Sequence, residues 1–201
     1  MKIFAAFGNY DTGSREESPF ALAESPLWYE IPDSAILRSG NPFFVPSETD
    51  SYVAFPSAAY RICKLGKSVA PRFAPRYYDE AAIGFSVVNV TLLEALRKRG
   101  MPWTRAVAYD RSCLLGNFMP ISAFRNYAAF SAESGDSRLE YQLDKITTGI
   151  DQIVALVSCD NTIKTGDIIL GALSPCGIPM IRGSRLRAGA DGLTIFDINV
   201  K

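Results

Sequence analysis

Between residues 101 and 120 the chain reads MPWTRAVAYDRSCLLGNFMP, which gathers Trp103, Tyr109, Asp110, Cys113 and Gly116 into one short span. Asp110 is the only acid among them, and a lone carboxylate has no second one with which to divide acid and base work. Tyr109 could donate a proton, and Cys113 could act as a nucleophile if the nearby Arg111 lowered its pKa. The chain contains no histidine, which removes the usual general base, the Ser-His and Cys-His pairs and every imidazole metal ligand. Chemistry would rest on carboxylates, Lys, Tyr, Cys or backbone dipoles. Tyr109 and Asp110 are the catalytic candidates. The structural alternative for Asp110 is a carboxylate accepting backbone N–H bonds at a strand end. Trp103 reads as core or rim packing.

Composition narrows the partners. With 201 residues, 48% of them apolar and 21% charged, the chain is long enough for one compact domain, taken as residues 1–201. Twenty-one basic and twenty-one acidic residues cancel, so neither nucleic acid nor an anionic membrane is the expected partner. The apolar start of MKIFAAFGNYDTG is too short for a signal-peptide core or a membrane span, and the cytoplasm is the expected compartment. Cys63, Cys113, Cys159 and Cys176 show no C-x-x-C spacing, and buried thiols are the simplest reading.

The elements that must position these residues are mostly strands. KIFAAFG (2–8), LWYEI (27–31), FFV (43–45) and AAYRICK (58–64) carry aromatic or β-branched residues between turn signals such as RSGNP. TLLEALRKRG (91–100) predicts a short helix with Thr91 as N-cap, basic residues in the last turn and Gly100 at the stop. GIDQIVALVS (149–158) repeats that logic with Ile150, Ile153, Val154 and Val157 on one stripe, and TIKTGDIILGAL adds a turn and a buried strand. SAESGDSR (131–138) predicts an exposed loop at a hairpin end, and a short helix is expected at Asp79 and Glu80, before Gly84.

In this order the motifs resemble the fumarylacetoacetate hydrolase family in its small single-domain form. FGNY supplies Asn9 and Tyr10, and YEIPDSAILRSGNPFFVP is similar to a Pro-rich family stretch. Trp103, Tyr109, Asp110, Ser112, Leu115 and Gly116 fall in register with a third motif, and IDQIVALVSCDNTIKTGDIILGALSPCGIP with the C-terminal one. The resemblance implies an α+β fold, mainly β, of mixed rolled sheets with short helices, usually dimeric. It also implies a Mg²⁺ or Mn²⁺ ion held by an E-x-E pair and an Asp, working as Lewis acid and template on an oxo acid or β-dicarbonyl compound.

At each of those chemical positions the sequence departs. The resemblance places Pro56 and Ala58 at the E-x-E pair and Val90 at the Asp that follows Asn89, with Glu94 at an Arg. Val107 stands at a strand Lys, Glu30 at a second Lys and Gly13 near an N-terminal His. No metal cofactor is therefore expected. Pro56, Ala58, Asn89, Val90, Val107 and Ser174 are read as lining a mostly apolar pocket, Ser174 at the position of a Thr that contacts substrate carboxylate. Two readings stand. In the first, the protein has lost the metal-dependent C–C chemistry and binds a small carboxylate or oxo acid, as a homodimer or paired with an active relative. In the second, it is an active hydrolase or lyase on acylpyruvate- or oxo-acid-type substrates, with a non-standard site. Convergence of any two of Glu30, Glu48, Asp79, Glu80, Glu94 and Asp110 would favour the second.

Overall fold

In a computed structural model, residues 1–13 and 18–201 are described. The chain runs β1 (Lys2–Phe7), β2 (Leu27–Pro32), β3 (Ile36–Arg38), β4 (Tyr52–Ile62), β5 (Tyr78–Asn89), α1 (Val90–Lys98), α2 (Thr104–Val107), β6 (Cys113–Leu115), β7 (Met119–Pro120) and α3 (Ile121–Phe124). It continues through the hairpin β8 (Ala129–Ser134) and β9 (Ser137–Gln142), then α4 (Ile150–Asp160), β10 (Ile168–Leu170), β11 (Ile178–Pro179), β12 (Arg185–Ala190) and β13 (Leu193–Asn199). The fold is α+β and mainly β. A large mixed sheet has the order β2-β1-β10-β4-β5-β6-β3, with β11 on β4 and β7 on β5, and a four-stranded sheet has the order β13-β12-β8-β9. Strands β1 and β10, and β3 and β6, pair in parallel. The small sheet closes on an Asp-Gly turn: Asp191 and Gly192 both take positive φ, as a two-residue hairpin turn requires.

Two faces of the β4–β5 ladder serve different cores. Ala54 and Ala58 of β4, with Ile83, Phe85 and Val87 of β5, meet Phe130, Tyr141, Leu186, Phe196 and Ile198 of the small sheet. Phe55, Ala59 and Val88 point the other way, into a cluster with Ile3, Ala5, Phe7 and Leu170. A third cluster seats α4, through Ile153, Val154 and Val157, against Phe4, Ile62 and Tyr78. Asn9 ties the parts together, since its amide donates to the carbonyls of Thr148 and Gly171, both at 2.9 Å.

Pro56 sits inside β4, where a missing N–H ordinarily breaks a ladder. It is tolerated because the strand flanking β4 on that side is interrupted. β10 pairs only with Ala59–Arg61 and β11 only with Val53–Ala54, leaving residues 171–177 to pass Pro56 as irregular chain. The Pro56 carbonyl is still used, accepting from the Ser174 N–H at 2.9 Å.

Several local expectations change. FFV is no strand, and Phe43 makes only an isolated parallel bridge to Val200. The β4 strand begins six residues before the expected Ala58. The α1 N-cap is Asn89, whose Oδ1 accepts from the Leu92 N–H at 2.9 Å, while Thr91 instead accepts from the Ser51 N–H. Asp79 and Glu80 lie in β5, after a 3₁₀ turn at Pro71–Arg76. Residues 131–134 are strand, and only Gly135 and Asp136 make the turn. The residues leading to Val107 form the short α2, not a strand.

Candidate functional site

Val90 is the first residue of α1 and Val107 the last of α2, and both fall in the cluster beneath those helices with Leu93, Ala106 and Trp103. The β4 residues sharing that cluster are Val53, Phe55 and Ala59. Pro56 and Ala58 do not join them. Ala58 belongs to the cluster between the sheets, and alternation puts Pro56 on the same face. Register separates them further: Pro56 is opposite Phe85 and Ala58 opposite Ile83, whereas Tyr52 is opposite Asn89, the residue before Val90. The expectation that Pro56, Ala58, Val90 and Val107 line one pocket is corrected on this ground. A one-residue shift in facing moves every side chain to the other side of a sheet.

The space beside Val90 and Val107 is filled by rings. Phe20, 0% exposed, packs edge-on against Phe55 at 4.9 Å between centroids, lies 5.3 Å from Phe7 and stacks on Tyr29 at 6.2 Å. Trp103 closes the group, 5.5 Å from Tyr29 and 6.2 Å from Phe7. The Tyr29 hydroxyl shares a hydrogen bond with Ser86 Oγ at 2.8 Å, and burial holds its ionisation well above the usual phenol range. Phe20 belongs to a strap whose next residues, Ala21 to Ser25, are exposed. Three hydrogen bonds tether that strap: Ser18 Oγ donates to the Pro175 carbonyl at 2.6 Å, Ala23 N–H to Gly8 O at 2.9 Å, and the Arg97 guanidinium to Pro19 O at 3.2 Å. Gly8 permits the approach, having φ +81° and a Cβ position only 2.9 Å from Ala23 Cβ.

Between this strap, α1 and Pro175 lies a cleft of about 740 Å³. Phe55, Val90 and Leu93 give it apolar walls, and Glu94, Arg97 and Lys98 of α1 give it charge. The Arg97 guanidinium also sits over the Trp103 ring, 5.7 Å from its centroid. The aromatic anchors and the arginine were not legible as site residues, because FALAESP has no periodicity and Arg97 read only as a favourable helix-end charge.

The remaining candidates are scattered. Asn89 is structural: besides capping α1, its amide donates to Asp50 at 2.8 Å and to the Tyr52 hydroxyl at 3.2 Å. Tyr109 packs edge-on to Tyr52 at 6.0 Å, on the sheet-sandwich side. Its hydroxyl is buried without a hydrogen-bond partner among the described residues, and desolvation pushes its pKa far above the ordinary value. Asp110 is exposed in the turn before Arg111. Cys113 is buried, and burial pushes its thiol up to about 12, so Arg111 does not activate it as a nucleophile. Ser174 is buried, with its Oγ accepting from the Cys176 N–H at 3.1 Å. That is a local turn contact.

Mg²⁺ or Mn²⁺ needs several oxygen ligands, with carboxylates among them. Among the described residues no three acids, cysteines or histidines cluster at metal-binding range. Of the acids singled out in the sequence, Glu48 pairs with Arg182 and Glu80 with Arg61. Glu94 stands in the cleft with two cations for neighbours. Near the expected site β4 offers no carboxylate: Pro56 and Ala58 are apolar, and the Ser57 hydroxyl between them is spent on the Ala58 carbonyl and the Ala172 N–H, so the described residues do not fit a divalent cation.

Two rolled sheets with short helices and a cleft at the end of β5 define the class of fold. The chain belongs to the fumarylacetoacetate hydrolase family: the family model described as fumarylacetoacetate (FAA) hydrolase C-terminal matches residues 2–200. It is 26% identical over 197 residues to the mitochondrial oxaloacetate tautomerase FAHD1 of Bos taurus, covering 96% of this chain and 88% of that protein. To the oxaloacetate tautomerase YcgM of Escherichia coli K12 it is 25% identical over 200 residues, covering 95% and 89%. A crystal structure of fumarylpyruvate hydrolase from Pseudomonas aeruginosa in complex with Mn²⁺ and pyruvate superposes with a TM-score of 0.87 at 22% identity, covering 100% of this chain and 89% of that one. These relatives carry the names of enzymes, and that backs the expectation of retained chemistry better than the expectation of its loss. No helix of the described residues is long and apolar enough to cross a membrane.

Proposed function

We propose that this family member keeps the fold and a small-molecule cleft but does not run divalent-metal chemistry, and that it acts by binding a small carboxylate or as the partner of another family subunit. One observation carries the reading: Phe20 and Phe55 pack edge-on within the cluster that holds Val90 and Val107, where the family resemblance calls for an acid and an amine. A buried carboxylate or a hydrated cation beside those rings would lose its solvation without replacement. Pairing across exposed strand ends, as a homodimer or with an active relative, is part of the proposal, and light scattering at micromolar concentration is its check. The test of function is turnover of oxaloacetate or an acylpyruvate with 1 mM Mn²⁺. The expected rate equals that of the metal alone, and a rate on the order of 1 s⁻¹ per subunit, ordinary for an enzyme, would overturn the proposal.

The enzyme names of the relatives favour a second reading, an active hydrolase or lyase on oxo-acid substrates with a non-standard site. Tyr109 is the group it would use, as a neutral donor, because its buried hydroxyl has no partner among the described residues. Tyr109→Phe abolishing turnover while leaving the melting temperature in place would support it.

A further inference from the structure

The cleft beside α1 joins an apolar floor to a charged rim, and the ligand class read from it deepens, and rests on, the binding reading above. Its floor is the Phe55 ring with Val90 and Leu93, and among the described residues its rim holds Arg97 and Lys98 against the acid Glu94. Arg97 is held in place by the Trp103 ring beneath it and by the Pro19 carbonyl. A guanidinium has five N–H donors in a fixed fork, so one bond to Pro19 leaves others for a ligand. Behind Phe55 the buried rings of Phe20, Phe7 and Tyr29 back the floor with apolar packing. We propose that this cleft binds an amphipathic aromatic monocarboxylate, with its ring on Phe55, Val90 and Leu93 and its carboxylate on Arg97 and Lys98, without a metal ion.

An apolar floor takes up a ring by burying its surface, and a charge-assisted hydrogen bond fixes the carboxylate. Among the described lining residues Arg97 and Lys98 outnumber Glu94 by one positive charge, which favours a monoanion over a neutral or cationic analogue. The strap contributes Ser18 and Pro19 to the opposite wall.

The test is calorimetric titration of the full chain, without added metal, with three probes of one shape: 2-naphthoate, 2-naphthol and 2-naphthylmethylamine. 2-Naphthoate should bind about tenfold more tightly than 2-naphthol, the size of one charge-assisted bond, and the amine should not compete. Lys98→Gln, which breaks no hydrogen bond to the strap, should weaken 2-naphthoate about five- to tenfold and leave 2-naphthol unchanged. Arg97→Gln should do the same to 2-naphthoate. No heat at 1 mM 2-naphthoate, equal affinity for acid and alcohol, or an unchanged Lys98→Gln variant overturns this inference alone. Binding of 2-naphthoate that requires Mn²⁺ overturns both the inference and the metal-free reading on which it rests.

Discussion

Replacing Phe20 by Ala removes the ring that fills the space between Phe7, Tyr29 and Phe55. The side chain is 0% exposed, with ring centroids at 4.9, 5.3 and 6.2 Å. Truncating a buried Phe costs about 3–5 kcal/mol, more when the cavity cannot collapse. Here the strap next to it is exposed from Ala21 to Ser25 and can settle inward, so the lower end, about 3 kcal/mol, is expected. At roughly 2–4 °C per kcal/mol for a chain of this size, the melting temperature should fall by about 6–12 °C. Differential scanning calorimetry reads it directly. Leu22→Ala, two residues on and 50% exposed, is the control and should change stability by less than about 0.5 kcal/mol. A Phe20→Ala loss under about 1 kcal/mol would show that the ring is not seated in the cluster, and the account of a ring-filled site would go with it.

The facing of β4 makes a second prediction. Val53→Glu, Phe55→Glu and Val90→Asp together put three carboxylates on one side and should yield Mn²⁺-dependent stabilisation in a melting assay, at a cost without metal. Pro56→Glu, Ala58→Glu and Val90→Asp split them between two faces and should not. The third concerns alkali. Cys113 ionises at about 12 in the folded chain against 9.0 as the reference. Its contribution is therefore complete below pH 9 and is lost as pH rises from 9 towards 12, at roughly 1.4 kcal/mol per pH unit. Denaturant titrations at pH 8, 9.5 and 10.5 should show Cys113→Ala with a shallower alkaline decline than the parent. Equal slopes would contradict the burial argument.

Sequence order was enough to read the family and the mainly β fold, because strand motifs, two helices and turn signals recur at family spacing from FGNY to SPCGI. The facing of β4 was not legible, and the reason is physical. From Ala54 to Ala59 every residue is buried, so the strand lacks the apolar–polar alternation that reports which side faces a core. Pro56 deepened the ambiguity, since its tolerance depends on a gap between β10 and β11 that only the tertiary structure reveals. The helix at 150–160 was legible because its buried residues Ile153, Val154 and Val157 recur at helical spacing on one face. Asp79 and Glu80 misled in the opposite direction. A short helix was expected there, but β5 runs from Tyr78 to Asn89 and pairs with β4 along its length except at Asp79, which falls at a bulge, and sheet pairing outweighs local propensity. Phe20 could not be found at all, because the residues that follow it, Ala21 to Ser25, are solvent-exposed and its partners lie in β1, β2 and β4.

Thermal unfolding with 1 mM Mn²⁺ decides whether a divalent cation belongs to this chain's site. A ligand held by the native state with micromolar affinity adds about 4 kcal/mol at a thousandfold excess, or about 8–16 °C for a chain of this length. The side chains around Val53, Phe55, Val90 and Val107 predict a shift under about 1 °C, with Mg²⁺ as with Mn²⁺. A saturable rise of 8 °C or more in the unmutated protein would contradict the account and move it to an active metal-dependent enzyme.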